Sequence, residues 1–244
     1  MIVSKGEDNM KNKLLVSLIC LSFLCSCQGN SSKIDSTTKP SNEPSIEQPS
    51  TSTSNTPSNN PTEPQRIIFK KEYKIYINPS VQFKNQYYDK VHTEGQVMNE
   101  IALILVNRLK AETNLQIKAN LDGLSLSNSV KESNAYHPDL HFAIHSNGGG
   151  GNGSEVWVSK KSYLFGKSIL ESLNQVHNFK NRGIKYGDGT DASLYEIKNV
   201  LAPSALIEIL FHDEINQANF ILNNKQLIAN SFFNGIVNYL TQLS

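Results

Sequence analysis

The stretch that most constrains the fold lies between a proline and a run of glycines, from Asp139 to Asn147. Leu140, Phe142 and Ile144 alternate with Asp139, His141 and His145, with the small Ala143 among the latter. A period of two is that of a β-strand. Pro138 marks its start, and Gly148 to Gly151 mark its end. A strand that finishes in His-Ser-Asn puts a histidine at its C-terminal mouth, where open α/β sheets gather their ligands. Taken alone, His145 also reads as a core imidazole whose nitrogens are satisfied by neighbours.

The formal net charge of the 244-residue chain is +1, so no strong field points to nucleic acid. Its hydrophobic content of 38% is low for one globular unit, and the deficit falls in the first quarter of the chain. Lys11 and Lys13 precede Leu14–Leu24, an apolar run too short to span a bilayer. The run ends in Leu24-Cys25-Ser26-Cys27, which resembles the bacterial lipobox and implies a lipid on Cys27. The other reading is an ordinary cleaved signal. Met10 makes a tidier start than Met1.

Residues 28–65 are mostly Ser, Thr, Asn, Pro, Gln and Glu, with Pro40, Pro44, Pro49, Pro57, Pro61 and Pro64 among them. So little apolar surface cannot offset ordering entropy, which predicts an extended, disordered linker. The cysteines are Cys20, Cys25 and Cys27, so residues 66–244 form one domain with neither internal disulfide nor thiolate metal site.

Within that domain, Glu72–Asn78 reads as a strand, with Tyr73, Ile75 and Ile77 on one face. A loop from Pro79 to His92 follows. Thr93-Glu94-Gly95-Gln96 has capping-box spacing and starts a helix to about Glu112, with Val97, Met98, Ile101, Ala102, Leu105 and Leu109 on its apolar face. Glu94 sits in the first turn, where the helix dipole favours a carboxylate. Leu115–Ala119 reads as a strand, Ser125–Asn134 as a helix, Glu155–Val158 as a strand and Tyr163–Val176 as a helix. Arg182–Lys185 leads into a short strand, and Leu194–Ile197 reads as a further one.

Pro203–Asp213 is nearly all apolar, with Glu208 as the one carboxylate in its middle and His212 and Asp213 at its end. A buried glutamate must be paired, protonated or metal-bound. Helices over Asn216–Leu222 and Gln226–Leu243 close the chain, the second with Leu227, Ile228, Phe232, Ile236, Val237 and Leu240 as its core stripe. Strands alternating with helices predict a three-layer α/β domain with a largely parallel central sheet.

Five stretches then carry a resemblance: Ile77-Asn78-Pro79, Thr93-Glu94, Ala143–Asn147, Arg182-Gly183 and Pro203–Glu208. In this order they resemble the zinc-dependent N-acetylmuramoyl-L-alanine amidases of parallel-sheet α/β fold. The resemblance implies Zn2+ as cofactor, Glu94 and His145 as metal ligands and Glu208 as the catalytic carboxylate. It implies peptidoglycan as substrate, cut at the amide between N-acetylmuramic acid and L-alanine. The family's first-loop histidine has no counterpart, because Pro79-Ser80-Val81-Gln82 stands there. Catalytic zinc takes three protein ligands and water. His212, four residues after Glu208, is the candidate for the third, and His92 the next.

His141 reads as packing or support, and His137 and His177 as surface residues. Ser146, Asn147 and Arg182 are candidate substrate contacts, or else turn residues and a surface cation. The chain is expected to act as an exported monomer, held by Cys27 to the outer membrane face. A metal-free peptidoglycan-binding lipoprotein of the same fold, or a zinc peptidase on another cell-wall amide, is the alternative.

Overall fold

A computed structural model describes residues 66–243. The signal segment with Cys27 and the 28–65 linker lie outside the described residues. The domain runs β1 (Lys74–Pro79), α1 (Glu94–Glu112), β2 (Gln116–Ala119), α2 (Leu126–Tyr136), β3 (Leu140–Asn147), β4 (Ser154–Val158), α3 (Tyr163–Asn174), β5 (Asn181–Tyr186), α4 (Tyr195–Asn199), β6 (Ser204–Phe211), α5 (Ile215–Asn223) and α6 (Lys225–Thr241). The strands form one sheet in the order β2-β1-β3-β6-β4-β5. All neighbours are parallel except β4 and β6, so β4 and β5 run against the other four.

Strand alternation sorts the side chains into two layers. Ile75, Ile77, Phe142, Ile144, Val156, Val158, Ala205, Ile207 and Ile209 join the main core with α1, α3, α5 and α6. On the other face Ala143 and Leu206 pack with Ile197 of α4, while Val130 of α2 meets Val200 and Ala202. The expected three layers are present. Thr93 closes both halves of its capping box, which sets the first turn of α1 and therefore the place of Glu94.

Three sequence readings are corrected. Leu194–Ile197 is not a strand: Tyr195–Asn199 is a short helix whose buried side carries Glu196 and Ile197. Leu227 leaves the core stripe and is exposed, because it lies one helical step, about 100°, from buried Ile228. His177 is buried, and its Nε2 meets Ser154 Oγ at 2.7 Å.

β1, β3 and β6 are adjacent and parallel, so their C-terminal ends open side by side. The loops after them supply Gln82 and Asn85, the glycine run, and His212 with Asp213. The reversed β4 contributes its N-terminal end to the same mouth, with Glu155 opposite Glu208. The glycine run serves packing first. A Cβ on Gly151 would lie 2.1 Å from the Phe211 ring, and one on Gly153 would lie 1.8 Å from Lys180 O. Gly149 and Gly150 are open, and both backbone amides donate to Asp213 Oδ2, at 2.7 and 3.0 Å.

The main core sets the domain's stability. Phe232 is fully buried edge-to-face with Phe142, ring centres 5.1 Å apart. Phe232→Ala is expected to lower the unfolding free energy by about 3–5 kcal/mol, read as a lower urea midpoint at unchanged slope.

Candidate active site

Glu94 is buried at the start of α1. The loop after β1 is folded onto that helix start: Glu94 N donates to Asn85 O at 2.8 Å, and Gly95 N to Gln82 O at 3.3 Å. The same two loop residues reach the carboxylate with their side chains. Asn85 Nδ2 donates to Glu94 Oε2 at 3.0 Å and to Gln82 Oε1 at 2.7 Å. Gln82 Nε2 stands 3.4 Å from Glu94 Oε1.

Across the mouth, His145 Nδ1 meets Glu94 Oε1 at 3.0 Å. Burial works against ionising Glu94, but the hydrogen bond and charge of His145, with Asn85 and Ser80, hold its carboxyl below the usual value. Burial also works against charging His145. Glu94, Glu208 and Glu196 outweigh it and raise the imidazole to about 9.

Glu208 faces this pair from β6, in register with His145 on one side and Glu155 on the other. Its Oε2 is buried with no hydrogen-bond partner among the described residues. Burial pushes the Glu208 carboxyl up to about 7, and the charges of Glu94 and Glu155 add to this while His145 and Lys185 oppose it. A carboxyl that exchanges its proton near neutrality suits general acid–base work.

Two polar groups flank the centre. Glu155 Oε2 accepts from Arg182 Nε and Lys185 Nζ, both at 2.5 Å. Opposite, His212 stacks on Tyr87, with ring centres 5.2 Å apart. Its Nδ1 lies 3.0 Å from both the hydroxyl and the carbonyl oxygen of Ser146. A carbonyl only accepts, so Nδ1 carries the hydrogen and Nε2, beside Gly148, holds the lone pair in the neutral ring. Behind the centre, Glu196 accepts from His141 Nε2 at 2.7 Å and from Asn78, and lies 3.9 Å from His145 Nε2.

Part of this set opens on a cavity of about 440 Å3, lined by Gln82, Asn85, Glu94, Ser146, Glu208 and His212 among others. Glu94 Oε1 and His145 Nδ1 converge as two metal donors should, and Glu208, in register with His145, lines the same cavity as Glu94. The donor set therefore fits zinc at two corners. Among the described residues no three His, Cys, Asp or Glu side chains form a group that could hold a metal ion.

A profile of the N-acetylmuramoyl-L-alanine amidases matches residues 83–238. The chain belongs to that family. It is similar to the sporulation-specific N-acetylmuramoyl-L-alanine amidase of Bacillus subtilis (strain 168), 24% identical over 147 residues that make up 58% of this chain and 56% of that protein. It is also similar to an uncharacterized 38.4 kDa protein of Clostridium perfringens, 28% identical over 34% of this chain and 25% of the other. The chain thus spans little more than half of one curated relative and a quarter of the other. The fold is that of the N-acetylmuramoyl-L-alanine amidase of Clostridium difficile 630, with a TM-score of 0.63 at 20% identity over 70% of this chain and 98% of that one.

This amidase-family site brings Glu94, His145 and Glu208 together and sets the other expected residues around them. His212 stands on the cavity wall, in contact with Ser146 and Tyr87. His92 is exposed at its ring and bonded to Asp89 at 2.5 Å. Ser146 is buried between Tyr87 and His212, Asn147 reaches Glu155 at 3.4 Å, and Arg182 is tied to Glu155. Sequence reasoning passed over Gln82, Asn85, Glu155 and Glu196. Glu155 had a signal, as a carboxylate opening an apolar strand.

The raised carboxyl of Glu208 makes stability depend on pH. Between the ordinary value of 4.5 and about 7 the folded metal-free chain holds a proton that the unfolded chain releases. That contribution is complete below 4.5 and is lost as pH rises through about 7. Glu208→Gln removes the penalty, so at pH 8 the metal-free variant is expected to be more stable by roughly 2–3 kcal/mol. At pH 4.5 the gain should vanish, which denaturation at the two pH values reads directly.

Proposed function

We propose that the chain is a peptidoglycan hydrolase that cleaves the amide between N-acetylmuramic acid and the L-alanine of the stem peptide. Family membership supports the reaction class. The observation that carries the reading is the buried carboxylate oxygen of Glu208, unpartnered among the described residues, on a side chain that stands in register with His145 and lines one cavity with Glu94, the partner of His145. Glu94 and His145 would hold zinc, which when bound supplies an acidified water and a polarised carbonyl. Glu208 takes the proton from the attacking water and returns it to the leaving amine. Glu94 reaches this task already ionised.

The rim orients the polymer. Arg182 and Lys185, each about a third exposed, hold positive charge beside Glu208 and suit an anionic stem peptide. Asn147 extends that side of the rim, while Ser146 fixes the ring of His212. His212 lines the cavity with Nε2 beside Gly148, and that nitrogen is the one to test as a ligand of a metal or a contact to the substrate.

A lipid on Cys27 and the linker of residues 28–65 would hold the domain, as a monomer, at the outer face of the membrane beneath the wall. The metal-free wall-binding lipoprotein is the second reading, favoured by the missing third His, Cys, Asp or Glu ligand among the described residues.

Incubation of the purified protein with cell-wall sacculi separates the two. Release of stem peptides with a free N-terminal L-alanine is expected, falling by about 10²–10⁴-fold in Glu208→Gln. Sacculi bound without any release would sink the hydrolase reading. His212→Ala assigns its nitrogen in the same assay: loss of zinc marks a ligand, and loss of rate with zinc retained marks a substrate contact.

A further inference from the structure

The corner that faces Glu94 and His145 is not bare. Gln82 Nε2 lies 3.4 Å from Glu94 Oε1 and 3.5 Å from His145 Nδ1, and those two atoms are 3.0 Å apart. Ligand atoms bound at about 2.0–2.1 Å to a tetrahedral zinc lie about 3.3–3.4 Å from one another. The three atoms therefore outline a triangle the size of one face of a coordination tetrahedron. We propose that the Gln82 carboxamide is the third ligand of this site, with Asn85 as its positioning residue. The proposal rests on the reading of Glu94 and His145 as a zinc pair and adds the group that completes it.

The hydrogen bonds set the terms on which this happens. As the side chains stand, Asn85 Nδ2 faces both Gln82 Oε1 and Glu94 Oε2, which turns the Gln82 nitrogen toward the pair. Amide oxygen and nitrogen are nearly equal in shape, so a half-turn about the last bond of Gln82 brings Oε1 to the same corner. Asn85 must turn with it, so that its own oxygen accepts from Gln82 Nε2. The bond from Asn85 to Glu94 is then given up, and a cation on Glu94 replaces it. The two carboxamides thus have one arrangement that satisfies Glu94 with hydrogens and another that offers an oxygen to a metal. A neutral carboxamide is a weaker donor to zinc than imidazole or carboxylate, and the turn of Asn85 opposes binding further. Zinc should be held less tightly than by a site with three charged or imidazole ligands.

Gln82 and Asn85 are exposed residues of a loop, so changing them leaves the core untouched. The test is calorimetric titration of the purified full-length protein with zinc chloride, with circular dichroism to confirm folding. Wild type should bind one zinc. Gln82→Ala should weaken that binding at least tenfold. Gln82→Glu, which sets a charged oxygen at the same corner, should tighten it at least tenfold, and Asn85→Ala should shift the affinity in the Gln82 protein but not in Gln82→Ala. Zinc bound as tightly or more tightly by Gln82→Ala would overturn the proposal, since the carboxamide would then be a bystander or a plug. A folded wild type that takes no zinc would remove the metal reading beneath it as well, whereas failure confined to the Gln82 variants leaves that reading standing.

Discussion

The site depends on a short contact between a carboxylate at the start of a helix and an imidazole at the end of a strand. Glu94 and His145 are far apart in sequence and 3.0 Å apart in space. Each would resist its charge if buried alone, and each makes the other's charge tolerable. Their meeting requires β1 and β3 to be parallel neighbours, so that α1, which starts beyond the end of β1, begins beside the end of β3. The capping box at Thr93 then fixes the first turn. Sheet order, strand direction and one helix cap therefore act together on a single pair of side chains.

Glu208 owes its chemistry to what it lacks. It lies beside His145 in the strand register, yet one oxygen finds no hydrogen-bond donor. Filling that gap with a donor would stabilise the fold and lower the carboxyl's proton affinity, which is the property a general base near neutrality requires. The neighbouring Glu155 has the opposite arrangement, with two cations on a single oxygen and a carboxyl held below its usual value against burial. Two glutamates face each other across β4 and β6, and their surroundings drive them apart in proton affinity.

How much of this could be read beforehand follows from local physics. The strands β3 and β6 were legible because alternation, or an unbroken apolar run, leaves a mark in the residue order. The three central residues, Glu94, His145 and Glu208, were legible because each sits at an element end or stands as a lone charge among apolar neighbours. Glu196 was not, since five helical residues are too few to show a period of 3.6 and Tyr195–Asn199 reads as readily as strand. His177 and Leu227 were misplaced because burial at a single position is a property of the packed neighbour rather than of the segment. Gln82 and Asn85 were passed over because carboxamides in a polar loop resemble any other turn residues until the loop is folded onto the helix start.

The reversal of β4 and β5 has a consequence for how a long substrate can be gripped. On the β1 side the mouth is bordered by a connection, the Pro79–His92 loop, which is packed onto the start of α1 and onto His212 through buried Tyr87. On the other side the border is made of strand beginnings, Ser154–Glu155 and Asn181–Gly183, paired in the sheet with Arg182 at a bulge. The proposed substrate, a glycan thread with peptide branches, would thus lie between strand beginnings that carry the cations and a packed loop that carries the carboxamides.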